Sequence, residues 1–231
     1  MNSFNKYLFL ISILVCISCK TSESAAYKSK QALKNNYLSG NSIAIYEGIS
    51  DTTFVQLKSF NNNFVFDMKY ATEDNFLKQK VYACGECYLR LKTIKYLIAA
   101  NSEFQKKGYR IKLFDCYRPL DVQKKMWELV PNADYVADPK KGSVHNRGGA
   151  VDITIVDAKG KELDMGTPFD FFGPEASHKY PGFSNKISKN RIYLKEIMLQ
   201  NNFKSFDSEW WHYNLSESTK DKLANFQWEC N

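Results

Sequence analysis

The chain of 231 residues is poor in the side chains that most often carry chemistry, with only three histidines, so a site built on imidazole draws on His145, His178 and His212. Six prolines and eleven glycines are too few for a collagenous or low-complexity chain, and 44% apolar with 15% aromatic residues excludes a disordered one. The net charge of +7 is dispersed. The longest basic clusters, Lys106-Lys107 and Lys140-Lys141, are pairs, and nucleic-acid binding needs a clustered basic face. No internal repeat recurs, which removes solenoids and propellers. Beyond the N-terminus there is no long apolar run, which excludes a polytopic helical membrane protein. One domain with a sizeable core remains.

The extreme N-terminus reads as an address. Lys6 precedes an apolar stretch from Tyr7 to Ser18, the length of a signal-peptide core and too short to span a bilayer. Cys19 follows Cys16-Ile17-Ser18 and precedes a polar tract, a pattern similar to a bacterial lipoprotein processing site, although Cys16 stands where Leu is usual. We expect a signal peptide over 1–18, a polar tether over 19–42 with Cys19 a candidate for lipid attachment, and a single domain over 43–231. That division implies an exported protein of the periplasm or cell envelope, touching a membrane only through the lipid.

Cys84, Cys87, Cys116 and Cys230 then remain. In an oxidising compartment four cysteines permit three pairings, and spacing does not choose among them. Cys84-Gly-Glu-Cys87 has no second CxxC and no nearby His, so a redox or zinc role is disfavoured. A structural disulfide fits better, with Cys116 one candidate partner.

Phe64, Phe66, Met68 and Tyr70 alternate with Val65, Asp67 and Lys69, which predicts a half-buried strand. Leu91, Ile94, Leu97, Ile98 and Phe104 recur at helical spacing, and Gly108 stops that helix. Tyr109, Ile111 and Leu113 alternate as a strand running into Asp115-Cys116-Tyr117-Arg118-Pro119. Pro119 suits the first position of a helix that carries Val122, Met126 and Leu129. Residues 150–156 predict a strand with Val151, Ile153 and Ile155 on one face and Asp152 and Thr154 on the other. Residues 166–184 predict a long ordered loop, 187–200 a helix, and 203–206 and 209–215 closing strands. Without regular βαβ alternation the fold class is α+β, a mostly antiparallel central sheet flanked by helices.

Two histidines sit in suggestive company. His145 lies on a loop whose Gly148-Gly149 permits a tight turn, Asp152 projects from the following strand, and His212 arrives sixty residues later. Catalytic zinc takes three protein ligands and keeps an open position, so His145, Asp152 and His212 form a suitable set. Glu209 is then better placed as general base. Its three-residue offset from His212 would put the two on opposite faces of a regular strand, so a bulge or turn is expected near Trp210. Trp210 and Trp211 would screen water and raise the Glu209 pKa. Arg118, fixed by Pro119, is the candidate oxyanion partner. Tyr117 reads as packing, and His178 as a surface or supporting residue.

Ser143-x-His145-x-x-Gly148-x-Ala150-x-Asp152 and Glu209-Trp-Trp-His212 resemble the two signatures of zinc D-Ala-D-Ala peptidases, related to hedgehog and lysostaphin-type folds. The blocks Phe66 to Phe76, Asp115 to Pro119 and Met165 to Asp170 narrow the resemblance to VanX-type D-alanyl-D-alanine dipeptidases, over about residues 54–216. The resemblance implies one zinc per chain on His145, Asp152 and His212, Glu209 as base, and Arg118 stabilising the transition state. It further implies that Ser143 and Asp170 hold the amino terminus of a small dipeptide substrate, D-Ala-D-Ala. Alternatives are a D,D-carboxypeptidase on peptidoglycan stems and a non-catalytic zinc-stabilised binding protein. Cys116 departs from the small residue usual there, and the CxxC and Cys230 are not features of that branch.

Overall fold

The central strand is β5, Ala150–Val156, and all seven of its residues are buried. Val151, Ile153 and Ile155 join the main core with Leu97, Leu194 and Met198. The polar face expected for Asp152 and Thr154 is buried as well, because the strand is covered on both sides. The computed structural model describes residues 47–61, 63–133 and 135–230; the expected signal peptide, Cys19 and the tether lie outside them. Residues 49–231 make up one structural unit. Among the described residues no helix is long and apolar enough to cross a membrane.

The other strands are β1 (Phe54–Gln56), β2 (Val65–Phe66), β3 (Tyr88–Arg90), β4 (Arg110–Asp115), β6 (Phe203–Phe206) and β7 (Glu209–Leu215). Five of them form a sheet in the order β2-β4-β5-β7-β6, and β1 pairs with β3 separately. All pairings in the five-stranded sheet are antiparallel except β2 with β4, which is parallel. The α+β expectation therefore holds, with a mixed edge.

Three helices support the sheet: α1 (Leu91–Gln105), α2 (Leu120–Leu129) and α3 (Asn185–Gln200). Leu91, Ile94, Leu97 and Phe104 form the buried stripe of α1, at the i, i+3, i+4 spacing that makes a helix amphipathic. The helix ends ahead of Gly108 at φ 79°. The Ser184 hydroxyl accepts from Ile187 N to cap α3. Val122 and Met126 of α2 belong to a second, smaller cluster with Tyr70, Leu77, Tyr82 and Val136.

Two expectations need correction. The strand predicted over 64–70 shrinks to Val65–Phe66, and Lys69–Ala71 is a 3-10 turn. That turn delivers the Tyr70 hydroxyl to Asp170, 2.9 Å away, which a continued strand could not do. The second helix begins at Leu120, and Pro119 stands just before it with ψ 144°.

Cys87 pairs with Cys116 and Cys84 with Cys230. The second bridge pins a strap made by residues 221–230. Within it Phe226 stacks on Tyr117 at 4.5 Å, Trp228 stacks on Tyr88 at 5.7 Å, and Ala224 N donates to Asn146 O. The bridges span 146 and 29 residues. Loop-closure entropy then makes the longer bridge worth about 1.4 kcal/mol more. Chemical denaturation should show a larger stability loss for Cys84→Ala/Cys230→Ala than for Cys87→Ala/Cys116→Ala; the reverse order would contradict the entropic account.

Candidate metal centre

Strand register builds the site. Asp152 of β5 lies directly opposite His212 of β7 and opposite Asp115 of β4. Cross-strand partners share a face, so Asp115, Asp152 and His212 form one row across three strands. Each flank of the row needs an irregularity. On β4 the register shifts between Leu113 and Asp115, and the extra residue, Phe114, turns Asp115 onto the row. On β7 the register with β6 shifts between Ser205 and Phe206, which pair with Tyr213 and Glu209. Trp210, Trp211 and His212 bulge between them, as the spacing anticipated, and Glu209 Oε2 stands 3.8 Å from His212 Nδ1.

His145 comes from a 3-10 turn, His145–Arg147, that closes on Gly148 at φ 68°. A Cβ on Gly148 would lie 2.2 Å from the Phe54 ring, so both the backbone angle and the space require glycine there. The turn brings the donor atoms of His145, Asp152 and His212 within 4.8 Å of one another. His145 Nε2 lies 3.2 Å from His212 Nδ1 and 3.4 Å from Asp152 Oδ2, and His212 Nδ1 lies 3.0 Å from Asp152 Oδ1. These separations are close to the edge of about 3.3 Å expected for a tetrahedron with zinc-to-ligand bonds of about 2.0–2.1 Å.

The outer hydrogen bonds strengthen that fit. His145 Nδ1 donates to the Cys116 carbonyl at 2.6 Å, and His212 Nε2 donates to Asn214 Oδ1 at 2.9 Å. When the rings are neutral, both inward nitrogens present lone pairs, aimed at each other and at a carboxylate. Only a proton or a cation relieves such a convergence, and this outward anchoring is the usual way a metal-binding histidine is held. Asn214, two residues beyond His212 on the same strand face, is a supporting residue that the motifs do not mark. Burial alone would lower the His212 pKa; the hydrogen bond and charge of Asp152 outweigh it, and the ring is pushed up to about 9.

A cavity of about 230 Å³ opens over the cluster, lined by Arg118, Ser143, Asp170, Glu209 and Trp211 among others. Burial raises the Glu209 pKa above its ordinary value, and Asp152 adds to the shift while His212 opposes it. Of the two tryptophans only Trp211 faces this cavity. Trp210 donates through Nε1 to Thr167 Oγ1 in a separate pocket.

Arg118 is buried. Its Nη2 and Nε donate to Asp115 Oδ2 at 2.7 and 3.2 Å, and its Nη1 donates to Gln123 Oε1 at 2.9 Å. Two of its five N–H groups are left for a ligand. Asp115 also accepts from Tyr82 OH and Cys116 N, so the guanidinium is held in a fixed cradle. The sequence motif contains Asp115 but does not reveal this duty. Ser143 Oγ accepts weakly from Asn146 N at 3.4 Å. Asp170, at φ 57°, is pushed well above the usual carboxylate range by burial first and then by the Asp152 charge. His178 lies outside the cluster; burial lowers its pKa to about 4. Tyr117 is packing, as expected, stacked on Phe226.

A three-donor cluster with an open side, a carboxylate and a cradled guanidinium around one cavity defines a metallopeptidase centre. The chain belongs to the peptidase M15 family, described as D-Ala-D-Ala dipeptidase, whose match covers residues 50–229. It is 35% identical over 184 residues to the D-alanyl-D-alanine dipeptidase of Escherichia coli K12, covering 79% of this chain and 95% of the relative. It is 31% identical over 173 residues to the Enterococcus faecium protein of the same name, covering 66% of this chain and 86% of that one. A zinc-bound vancomycin-resistance D,D-pentapeptidase, VanY, superposes over 57% of this chain and 75% of its own, with TM-score 0.37 and 15% identity. That superposition is too loose to bear on the site.

Two outcomes follow for metal uptake. With its pKa near 9, the metal-free His212 ring carries a proton that a cation must displace. Apparent zinc affinity should therefore rise about tenfold per pH unit from roughly pH 7 and level off above about 9; a flat profile in competition titrations would remove the His212 argument. Asn214→Ala should weaken zinc binding about 10–100-fold.

Proposed function

We propose that this protein is an exported, zinc-dependent dipeptidase that hydrolyses D-Ala-D-Ala to two D-Ala. The observation that carries this reading is the convergence of His145, Asp152 and His212 lone pairs beneath a small cavity that Glu209 and Arg118 also face. Zinc held there by the three side chains would supply Lewis acidity, polarising the scissile carbonyl and acidifying the attacking water.

The chain's own groups then do the rest. Glu209, buried and with a raised pKa, takes a proton from the attacking water and returns it to the leaving amine. Arg118, immobilised by Asp115 and Gln123, offers its two remaining N–H groups to the oxyanion. A donor that needs no reorganisation stabilises the transition state most. Asp170 meets the substrate's free ammonium group, with Ser143 alongside. Its raised pKa reflects an unpaired buried carboxyl, and an ammonium supplies the missing charge. An acylated nitrogen carries none, so longer stems bind poorly. The cavity of about 230 Å³ also falls below the roughly 300–1,000 Å³ of drug-sized sites.

Two disulfides support export, since such bridges persist in oxidising compartments. Cleavage after Ser18 and lipid attachment at Cys19 complete the proposal for the cell envelope. Mass spectrometry of the membrane fraction tests it, and an intact N-terminus on cytosolic protein would refute it.

Glu209→Gln should retain zinc and lose turnover, whereas His212→Ala should lose both. Arg118→Ala should lower kcat about 10²–10³-fold. Glu209 must be ionised to act, so activity should fall with decreasing pH along an acid limb above the ordinary carboxylate value, and Glu209→Gln should abolish that limb with the activity. Hydrolysis of a pentapeptide stem in preference to free D-Ala-D-Ala would favour a carboxypeptidase instead. Fully metallated protein without turnover would favour a binding protein.

A further inference from the structure

Residues 116–119 lie outside regular structure, since β4 ends at Asp115 and α2 begins at Leu120. This short crossing carries two of the contacts on which the centre depends. The Cys116 carbonyl accepts the hydrogen bond that aims His145, at 2.6 Å, and Arg118 lines the cavity. The sheet ladder does not continue here to fix either group. The crossing is held by Tyr117 N donating to Tyr88 O at 3.0 Å, by Arg118 N donating to His145 O at 3.2 Å, by Asn146 Nδ2 donating to Arg118 O and Cys116 N donating to Asp115 Oδ1, both at 2.9 Å, and by the one covalent tie, the bridge from Cys116 to Cys87. The far end of the bridge is itself anchored, because the Cys87 carbonyl accepts from Leu57 N at 2.9 Å. Cys87 and Cys116 are 1% and 0% exposed. By contrast Cys84 is half-buried and Cys230 exposed.

We infer that the Cys87–Cys116 disulfide is a positioning element of the reaction centre, setting where the Cys116 carbonyl and the Arg118 guanidinium stand. The inference rests on the zinc-peptidase reading and adds a residue pair to it. A bond from the outer nitrogen of a metal-binding imidazole fixes the ring and raises its basicity, and its loss costs about 10–100-fold in metal affinity. Displacement of a positioned group by about 1 Å costs on the order of a hundredfold in rate. One covalent link therefore governs both metal retention and turnover.

The test compares oxidised full-chain protein with Cys87→Ala/Cys116→Ala and with Cys84→Ala/Cys230→Ala. Each is stripped of metal, titrated with zinc against a competing chelator, and assayed for kcat and KM on D-Ala-D-Ala. The buried pair should lose about 10–100-fold in zinc affinity, and kcat should fall more than KM changes. The outer pair should lose thermal stability but keep zinc affinity and kcat close to wild type. Equal zinc affinity in the two double variants would overturn the inference. A second variant, Cys87→Val/Cys116→Ala, restores apolar volume without the bridge. It should remain impaired, and recovery to wild-type affinity would show that packing alone matters. Failure of both buried-pair variants to fold cooperatively would also overturn the inference, because the bridge would then serve the fold and not the site. Wild-type protein that binds zinc without cleaving the dipeptide would refute the dipeptidase reading, while the affinity comparison would still decide the role of the bridge.

Discussion

Placing Asp152 opposite His212 is the constraint on which the rest of the structure turns. Two strands contribute one side chain each to the same face at one register position, so neither can slip without losing the site. A one-residue slip would turn every side chain to the other face. The hydrophobic alternation of β5 guards against that, because a slip would turn Val151, Ile153 and Ile155 out of the main core and put Asp152 and Thr154 in their place. The core thus enforces the register, and the register enforces the donor set.

Four carboxylates crowd this region, and their surroundings differ. Asp115 spends its charge on Arg118 and accepts from Tyr82. Asp152 is held below the usual range: burial opposes its charge, but His145 and His212 overcome that opposition. Burial raises Asp170 and Glu209, and the Asp152 charge adds to both shifts. Pairs of acids pushed apart by their environment are how one site can hold a ligand carboxylate and a base side by side.

Much of this was legible in the linear chain. The helical stripe of Leu91, Ile94, Leu97 and Phe104 follows from burial on one face, and the alternation in β5 from the place of Val151, Ile153 and Ile155 in the main core. The three candidate metal donors and Glu209 sit in tight motifs whose spacing survives in space. The rest depends on long-range packing. Asn214 carries no motif and matters only because its side chain reaches His212 Nε2. The cradle of Asp115 and Gln123 needs a bulge at Phe114 and the start of α2 to meet. The strand expected through Tyr70 fails because Asp170, a hundred residues away, takes the tyrosine hydroxyl. The Cys87–Cys116 pairing, too, is set by where β3 begins and β4 ends.

The strap closed by Cys84 and Cys230 has a bearing on durability. Its ring spans a sequence separation of 146 residues, which includes the loop over 166–184. A single nick there leaves both fragments tied to one another, at an effective concentration that keeps re-association favoured. The chain can thus be severed once within that ring without being lost, until a reductant frees the pieces.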